Sequence, residues 1–524
     1  MADGNGTTGV ERATGAERTG SGAWVLAATI LASSMAFIDG TALNVALPAL
    51  QAGLHATGGQ LLWVVNAYLV MLAALIPIGG SLGDVLGRKK VFAAGIVLFM
   101  LSSLVCGVAP TIGFLIGARL VQGVGASLMI PGSLAIISSF FGPERRGKAI
   151  GTWSAFTTIV TVAGPVLGGV LSNAGLWRGV FLINFPLGIL ALAILLARVP
   201  ESRDEKSSGR IDYLGAALLA VGLAAPTYGL LAAPDLGFGN PRVFGTLALG
   251  ALALGAFIVV EASSPHPMIP LGLFSSRTFS GVNLLTFGLY GALSAGTFFL
   301  SLDLVQAQSY SMAVAGFAFT PFALILTALS RWAGSLVDRA GPRLPLIVGP
   351  AIAGAAFLVM AFSGLSDGPS RYWVTFFPGI VLLGIGMGIT VAPLTTAVMG
   401  SVATHFAGTA SGINNSVSRV AGVLVIAVVG ALALILFSQA LQARTAPIGL
   451  DGAARAALSA EASQLGGATV PAEVEAATAG AVRTAIRLAF VDTFHVVMLI
   501  CAALAWIGAA LAGIFVERRL ATAG

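Results

Sequence analysis

Apolar runs of about 20 residues recur along nearly the whole chain, broken by short polar or charged stretches. A hydrocarbon core of ~30 Å takes about 20 helical residues to cross, so each run is a candidate membrane span. The runs fall near 24–47, 62–82, 91–108, 113–136, 149–172 and 178–198, then 212–232 and 244–261, then 281–305, 313–336, 344–363, 374–398, 409–437 and 489–516. The grouping is six, two and six, about 14 spans in total. The short alternating segments of a membrane β-barrel do not occur. The pattern therefore predicts an all-α polytopic membrane protein.

Composition supports this. Of 524 residues, 57% are hydrophobic and 9% charged, against about 25% charged in soluble domains, so a water-soluble fold is excluded. The net charge of +6 does not point to nucleic acid, because the basic residues sit in short loops. Arg88, Lys89, Lys90, Arg145, Arg146, Lys148, Arg198, Arg203, Lys206, Arg210, Arg277, Arg339 and Arg343 share one side if the helices alternate. Only Arg178, Arg242 and Arg371 occupy short loops on the other. The positive-inside rule then places both termini in the cytoplasm of a cell membrane and the long loop 438–488 outside, where short surface helices are expected.

One motif is repeated. Gly80-Ser-Leu-Gly-Asp-Val-Leu-Gly-Arg-Lys90 ends the second run, and Gly334-Ser-Leu-Val-Asp-Arg-Ala-Gly-Pro-Arg343 ends the tenth. A loop repeated at the same level implies two pseudo-symmetric bundles about a central site. The expected organisation is a disordered cytoplasmic tail at 1–22, a six-helix bundle at 23–200, and a linker with two additional helices at 201–275. A second six-helix bundle follows at 276–516, including the external loop, and a short tail at 517–524.

The first run contains a lone acid, Asp39. A charge at bilayer depth costs about 2.5–3.5 kcal/mol on insertion scales, so such a residue usually faces a cavity or a partner. Asp39 is a candidate proton carrier; the plain alternative is an acid that only pairs with a neighbouring helix. Arg119 is a candidate partner; the plain alternative is that it snorkels to the outer surface. Asp39 lies about 12 Å inside the outer end of its expected helix and Arg119 about 9 Å from the same face. The two cysteines, Cys106 and Cys501, sit in apolar runs as small hydrophobes, and the four histidines are scattered. Nothing resembles a metal site. Asp303, near the outer end of its run, is expected to be solvated, or else to attract cationic cargo.

These motifs resemble the fourteen-helix drug–proton antiporter family of the major facilitator superfamily, over about 24–516. The stretch Asp39-Gly-Thr-Ala-Leu-Asn-Val-Ala-Leu-Pro48 is similar to the family's first-helix motif, with Asn44 and Pro48 matching. The resemblance implies a proton-coupling role for Asp39 with Arg119. The latter lies in Leu115-Ile-Gly-Ala-Arg-Leu-Val-Gln-Gly-Val-Gly-Ala126, which matches the fourth-helix motif also at Gln122. It implies a conformational latch at Gly80, Asp84, Gly87 and Arg88, doubled at Asp338, Arg339 and Gly341, where Pro342 replaces the arginine and weakens the second copy. Gly151, Gly164, Pro165, Gly168 and Gly169 resemble the antiporter motif of drug exporters, with Val160 where the family has glycine. Gly164 and Gly168 give a smooth face for close helix approach. Asn44, Asn66, Tyr68, Gln122, Asn414, Asn415 and Arg419 are candidates to line a substrate cavity; interhelical hydrogen bonding is the alternative for the amides.

The implied function is proton-driven export of amphipathic drugs, antibiotics or similar small molecules by alternating access. No cofactor is expected beyond the proton gradient, and a monomer in the bilayer is the expected state. An exporter of one endogenous metabolite or lipid, or a proton symporter of the same fold, is the competing transporter. An enzyme would need converging catalytic side chains, and none cluster in the sequence.

Overall fold

The computed structural model describes residues 7–203, 212–265, 267, 269–403 and 406–518. Among these the chain is helical, with no strand. The six helices of the first half are α1 (Thr7–Leu54), α2 (Gly58–Leu86), α3 (Arg88–Gly107), α4 (Ile112–Phe140), α5 (Pro143–Asn173) and α6 (Gly179–Arg198, interrupted at Ile183). Two accessory helices follow, α7 (Tyr213–Leu236) and α8 (Pro241–Ser263). The second half holds α9 (Arg277–Leu302) and α10 (Met312–Ala318 continued by Thr320–Ala340). It is completed by α11 (Arg343–Ala361), α12 (Phe377–Gly400), α13 (Ala407–Thr445) and α14 (Ala476–Phe515). Thirteen of these are long and apolar enough, over their described residues, to cross a membrane. The remaining one, α5, contributes the shorter apolar stretch Ile159–Asn173. The chain is an all-α multi-pass membrane protein with the fourteen-helix architecture.

The two halves repeat one packing scheme. In the first, α1 packs on α5 and α6, α4 on α2 and α3, and α3 on α6; in the second, α9 packs on α13 and α14, α12 on α10 and α11, and α11 on α14. The halves meet through a symmetry-related pair of contacts, α5 with α10 and α2 with α13. The accessory helices do not enter either bundle. They cover the α2–α13 seam through Leu219 and Leu223 of α7 and Phe257 of α8, packed on Val70, Ala73, Ala74 and Val423. Their outer surface stays apolar, with Leu252 73% and Val259 66% exposed, as a surface against lipid requires.

Local sequence explains where the helices start and turn. Thr57 and Gln60 form a reciprocal capping box at the start of α2, satisfying two backbone donors. Gly87 joins α2 to α3 with φ +110°, a conformation essentially reserved for glycine. A Cβ there would stand 2.9 Å from the Glu201 carboxylate, because the segment after α6 docks on this turn: Arg88 N donates to Ser202 O at 2.8 Å and Lys89 N to Glu201 Oε1 at 2.9 Å.

At the face opposite the termini, hereafter the far face, the halves are tightly closed. A Cβ on Gly169 of α5 would land on the Met312 carbonyl of α10, and one on Gly316 of α10 on the Pro165 carbonyl. Gly430 of α13 stands against Leu62 of α2. The segment between α13 and α14 lies over this closure. Gln51 Nε2 donates to Gln464 O at 2.9 Å, and Gln306 Nε2 donates to Gln51 Oε1 at 2.9 Å, linking α1 to the end of α9. On the termini-side half of the bundle Asn415, Thr395 and Thr396 are exposed.

Several expectations are revised. Helix α1 begins at Thr7, so most of the tail expected to be disordered up to residue 22 continues the helix; Glu11, Arg12, Ala13, Ala16, Glu17 and Arg18 are good helix formers. Residues 1–6 and the linker 204–211 lie outside the described residues, as do 519–524 of the C-terminal tail. The loop expected outside is shorter than 438–488, because α13 runs to Thr445 and α14 starts at Ala476. Polar, alanine-rich helix ends outside a membrane carry no apolar signal. The expected surface helix is Gly452–Glu461, capped by Asp451.

Gly87→Ala should destabilise the protein by ~1–3 kcal/mol through backbone strain, with the Glu201 contact adding to it. Thermal unfolding of the detergent-purified variant checks this; an unchanged midpoint would show that the turn relaxes freely.

Candidate functional site

The densest buried polar cluster lies inside the first half, where α1, α2, α3, α4 and α6 converge. Asp39 of α1 is 0% exposed and Arg119 of α4 is 1% exposed. They form a direct ion pair, Arg119 Nη1 to Asp39 Oδ2. Gln122, one turn along α4, completes a triangle: its Oε1 accepts from Arg119 Nη1 at 2.8 Å and its Nε2 donates to Asp39 Oδ1 at 2.9 Å. Arg119 Nε donates to Val64 O of α2 at 3.1 Å. The guanidinium lies 4.4 Å from the centroid of the Tyr68 ring and 5.9 Å from that of Phe181, so two aromatic faces supply further cation–π attraction.

A second layer fixes Gln122. Its Nε2 also donates to Ser103 Oγ at 3.2 Å, and Cys106 Sγ approaches its Oε1 at 3.6 Å. Ser103 Oγ accepts from Asn184 Nδ2 at 3.0 Å and donates to Phe181 O at 2.9 Å. The sequence marks Cys106 only as a small hydrophobe and gives Ser103 and Asn184 no role in the charge cluster. Asn184 falls inside Trp177-Arg-Gly-Val-Phe-Leu-Ile-Asn-Phe-Pro186, so a signal existed; Ser103 looks like any small residue in an apolar helix. The pair forms although α1 extends to Leu54, so Asp39 sits ~22 Å from that helix end rather than about 12 Å.

The other candidates divide between the halves. Asn66 of α2 is 0% exposed, and both atoms of its amide lack a protein partner. Asn44 is half-buried. Asn414 of α13 donates to Asn283 Oδ1 at 3.1 Å and Thr286 Oγ1 at 2.8 Å of α9, an interhelical bond within the second half. Its neighbour Asn415 is exposed. Arg419 is half-buried, and its Nε is buried without a partner. One turn on, a Cβ on Gly422 would stand 3.2 Å from Ser294 of α9 and 3.8 Å from Leu69 of α2, so this side of α13 looks onto the seam between the halves. Asp303, expected in solvent, is instead 0% exposed: the residues after α9 fold back over it and the loop before α12 closes the same end.

In the repeated loop, Arg88 Nε and Nη2 both donate to Asp84 Oδ1, at 2.9 and 2.8 Å. In the second copy Gly341 has φ +72° and backs onto the Arg518 carbonyl, while Arg343 donates to the Gly513 carbonyl near the end of α14. The side chains of Asp338 and Arg339 lie outside the described residues. Gly164 and Gly168 lie against Thr41 and Ala42 of α1, and Gly169 faces α10 across the seam. Gly151 meets no atom within 4 Å and takes no part in that close approach. No group of three or more metal-ligating side chains occurs among the described residues.

A model of the Major Facilitator Superfamily matches residues 29–426. The multidrug resistance protein Stp of Mycobacterium tuberculosis is 33% identical over 78% of this chain and 75% of its own. The puromycin resistance protein pur8 of Streptomyces alboniger is 35% identical over 77% of this chain and 80% of its own. In fold, the chain is similar to a bacterial homologue of the human lysosomal transporter Spinster solved in an inward-facing, unoccupied conformation. That likeness has a TM-score of 0.67 and 18% identity, and covers 96% of this chain and 99% of the other. The chain is a transporter and not an enzyme: it belongs to the major facilitator superfamily, within its multidrug-efflux family.

Proposed function

We propose that this protein exports amphipathic drugs, antibiotics or similar small molecules in exchange for protons, with both termini in the cytoplasm and the far face outside. The observation that carries this is the buried Asp39–Arg119 pair, locked to Gln122 inside one half. A buried ion pair survives only while both charges are present. Protonating Asp39 removes one of them and weakens a contact that ties α1 to α4, so the proton has a differential effect on the two access states, as coupling requires. The resistance named for the relatives supports efflux and an amphipathic cargo. The chain works as a monomer, since each half supplies a complete bundle, and the proton gradient is its energy source.

In the cycle, the cytoplasmic side binds cargo in the gap bordered by Asn415 and Arg419. The halves rock about the α5–α10 and α2–α13 contacts, and the glycine-mediated closure at the far face opens. An outside proton loads Asp39, cargo leaves, and the loaded protein returns. The Asp84–Arg88 pair at the α2–α3 turn acts as the latch on the cytoplasmic side.

Asp39→Asn should abolish uphill efflux in inverted vesicles carrying an imposed pH gradient, with the protein still folded and inserted. Full pH-driven accumulation of dyes, lipophilic cations or antibiotics by that variant would refute the coupling role. Arg119→Ala should be worse tolerated, because it strands a buried carboxylate at a cost of ~3–5 kcal/mol; folded yield after extraction reads this out. Cysteines at Gln51 and Gln306, joined by a short bifunctional maleimide, should lock the far face and stop efflux reversibly with a cleavable linker. Undiminished transport by the linked protein would remove alternating access from the scheme.

A further inference from the structure

At its far-face end α9 gives way to a π-helical turn, Asp303–Ala307, across which Gln308 N donates to Asp303 O at 2.9 Å. Such turns are rare and frequently mark functional sites. Asp303 opens the turn and is 0% exposed. Its Oδ2 accepts from Gln308 Nε2 at 3.2 Å, and its Oδ1 has no protein partner. The Gln308 amide is held in that orientation, since its Oε1 accepts from Ser366 N at 2.7 Å and Ser366 Oγ at 2.9 Å. Its Nε2 is also shared with Gly364 O at 3.4 Å.

Among the described residues, the charged side chains around this end have partners of their own, and Tyr372 donates to Ala318 O at 2.8 Å. Arg487 of α14 donates to Ala307 O at 2.7 Å, Ser366 O at 3.1 Å and Asp367 Oδ1 at 2.8 Å. Arg444 of α13 is paired with Asp492 of α14. His495 of α14 lies 2.7 Å from Ser363 O. Burial pushes the Tyr310 phenol up to about 12, which keeps it neutral. Neither Met312–Ala318 of α10 nor Ala462–Gly467 carries an ionisable side chain. A carboxylate removed from water keeps its charge only with a cation or several donors beside it. Asp303 has one shared amide.

The same turn is the mechanical link to the other half. Gln306 within it donates to Gln51 of α1, which in turn holds Gln464 of the covering segment. Parting the halves at the far face breaks this link and admits water to the turn.

We propose that Asp303 is a second proton-binding site, distinct from Asp39, whose occupancy permits the far face to close. With that face open, the carboxylate is hydrated and ionised. It takes a proton from hydronium on that side, leaving water, and the neutral acid is buried as the residues after α9 fold over it. Reopening returns the proton to the same side, so Asp303 gates the cycle without adding to the protons carried across. This rests on the alternating-access part of the proposed function and is independent of what Asp39 does.

The test uses full-length protein in lipid nanodiscs, spin-labelled at Ala52→Cys of α1 and Gln442→Cys of α13. Both positions are exposed at the far face, and the two native cysteines are buried. The open-to-closed ratio should rise with pH, approaching tenfold per pH unit, the limit for one proton. Asp303→Asn should stay closed across the range, Asp303→Glu should still titrate, and Asp39→Asn should keep the Asp303-dependent rise with pH. Infrared difference spectra of the closed state should show a protonated-carboxyl band that Asp303→Asn loses and Asp39→Asn keeps. A parent ratio independent of pH, an Asp303→Asn variant that titrates like the parent, or an unchanged band in Asp303→Asn would each overturn the proposal.

Discussion

The first half is organised around one unfavourable act: taking a carboxylate and a guanidinium out of water together. The Coulomb attraction between Asp39 and Arg119 alone does not offset their desolvation. The surroundings make up the difference. Gln122 touches both charges, the Val64 carbonyl takes the Arg119 Nε proton, and Tyr68 presents its ring to the guanidinium. Ser103 and Asn184 then fix Gln122. Five helices are tied to one pair of charges, so a change in either charge is felt by the whole bundle.

The contact between the halves follows a different principle. It has little polar content beyond the glutamine link at the far face and depends on backbone approaching backbone. Gly169 and Gly316 allow α5 and α10 to meet with no side chain between them, as small residues do where helices associate in lipid. Among the described residues no ion pair crosses this surface, so the halves can part there without breaking one. The first bundle holds a buried ion pair and the second an interhelical amide bond, while the seam between them stays smooth, a division suited to rigid halves that rock. The accessory helices add asymmetry by covering the α2–α13 seam.

The two buried acids contrast instructively. Asp39 is surrounded by donors and a cation, and Asp303 by one amide nitrogen. The first carboxylate has a cation and an amide donor beside it, and the second has a single shared amide. Burial is the same for both, and only the arrangement of neighbours distinguishes the two.

Hydrophobic runs and loop charges determined the membrane class, the number of spans to within one, and the two-fold repeat, because a bilayer imposes one length and one composition on every crossing. The rarity of charge in such runs also singled out Asp39 and Arg119, since no membrane helix carries an ion without a reason. What the sequence left open was set by tertiary contact. Asn414 bonds to α9 while Asn66 has an orphaned amide, although both are amides in apolar helices. Asp303 reads as a solvated helix end until the residues after α9 and the loop before α12 fold over it. Ser103 becomes part of the charge cluster only because α3 packs beside α4. Burial and partner choice depend on which helix faces which, and a helix that is apolar nearly all round carries no stripe to announce it.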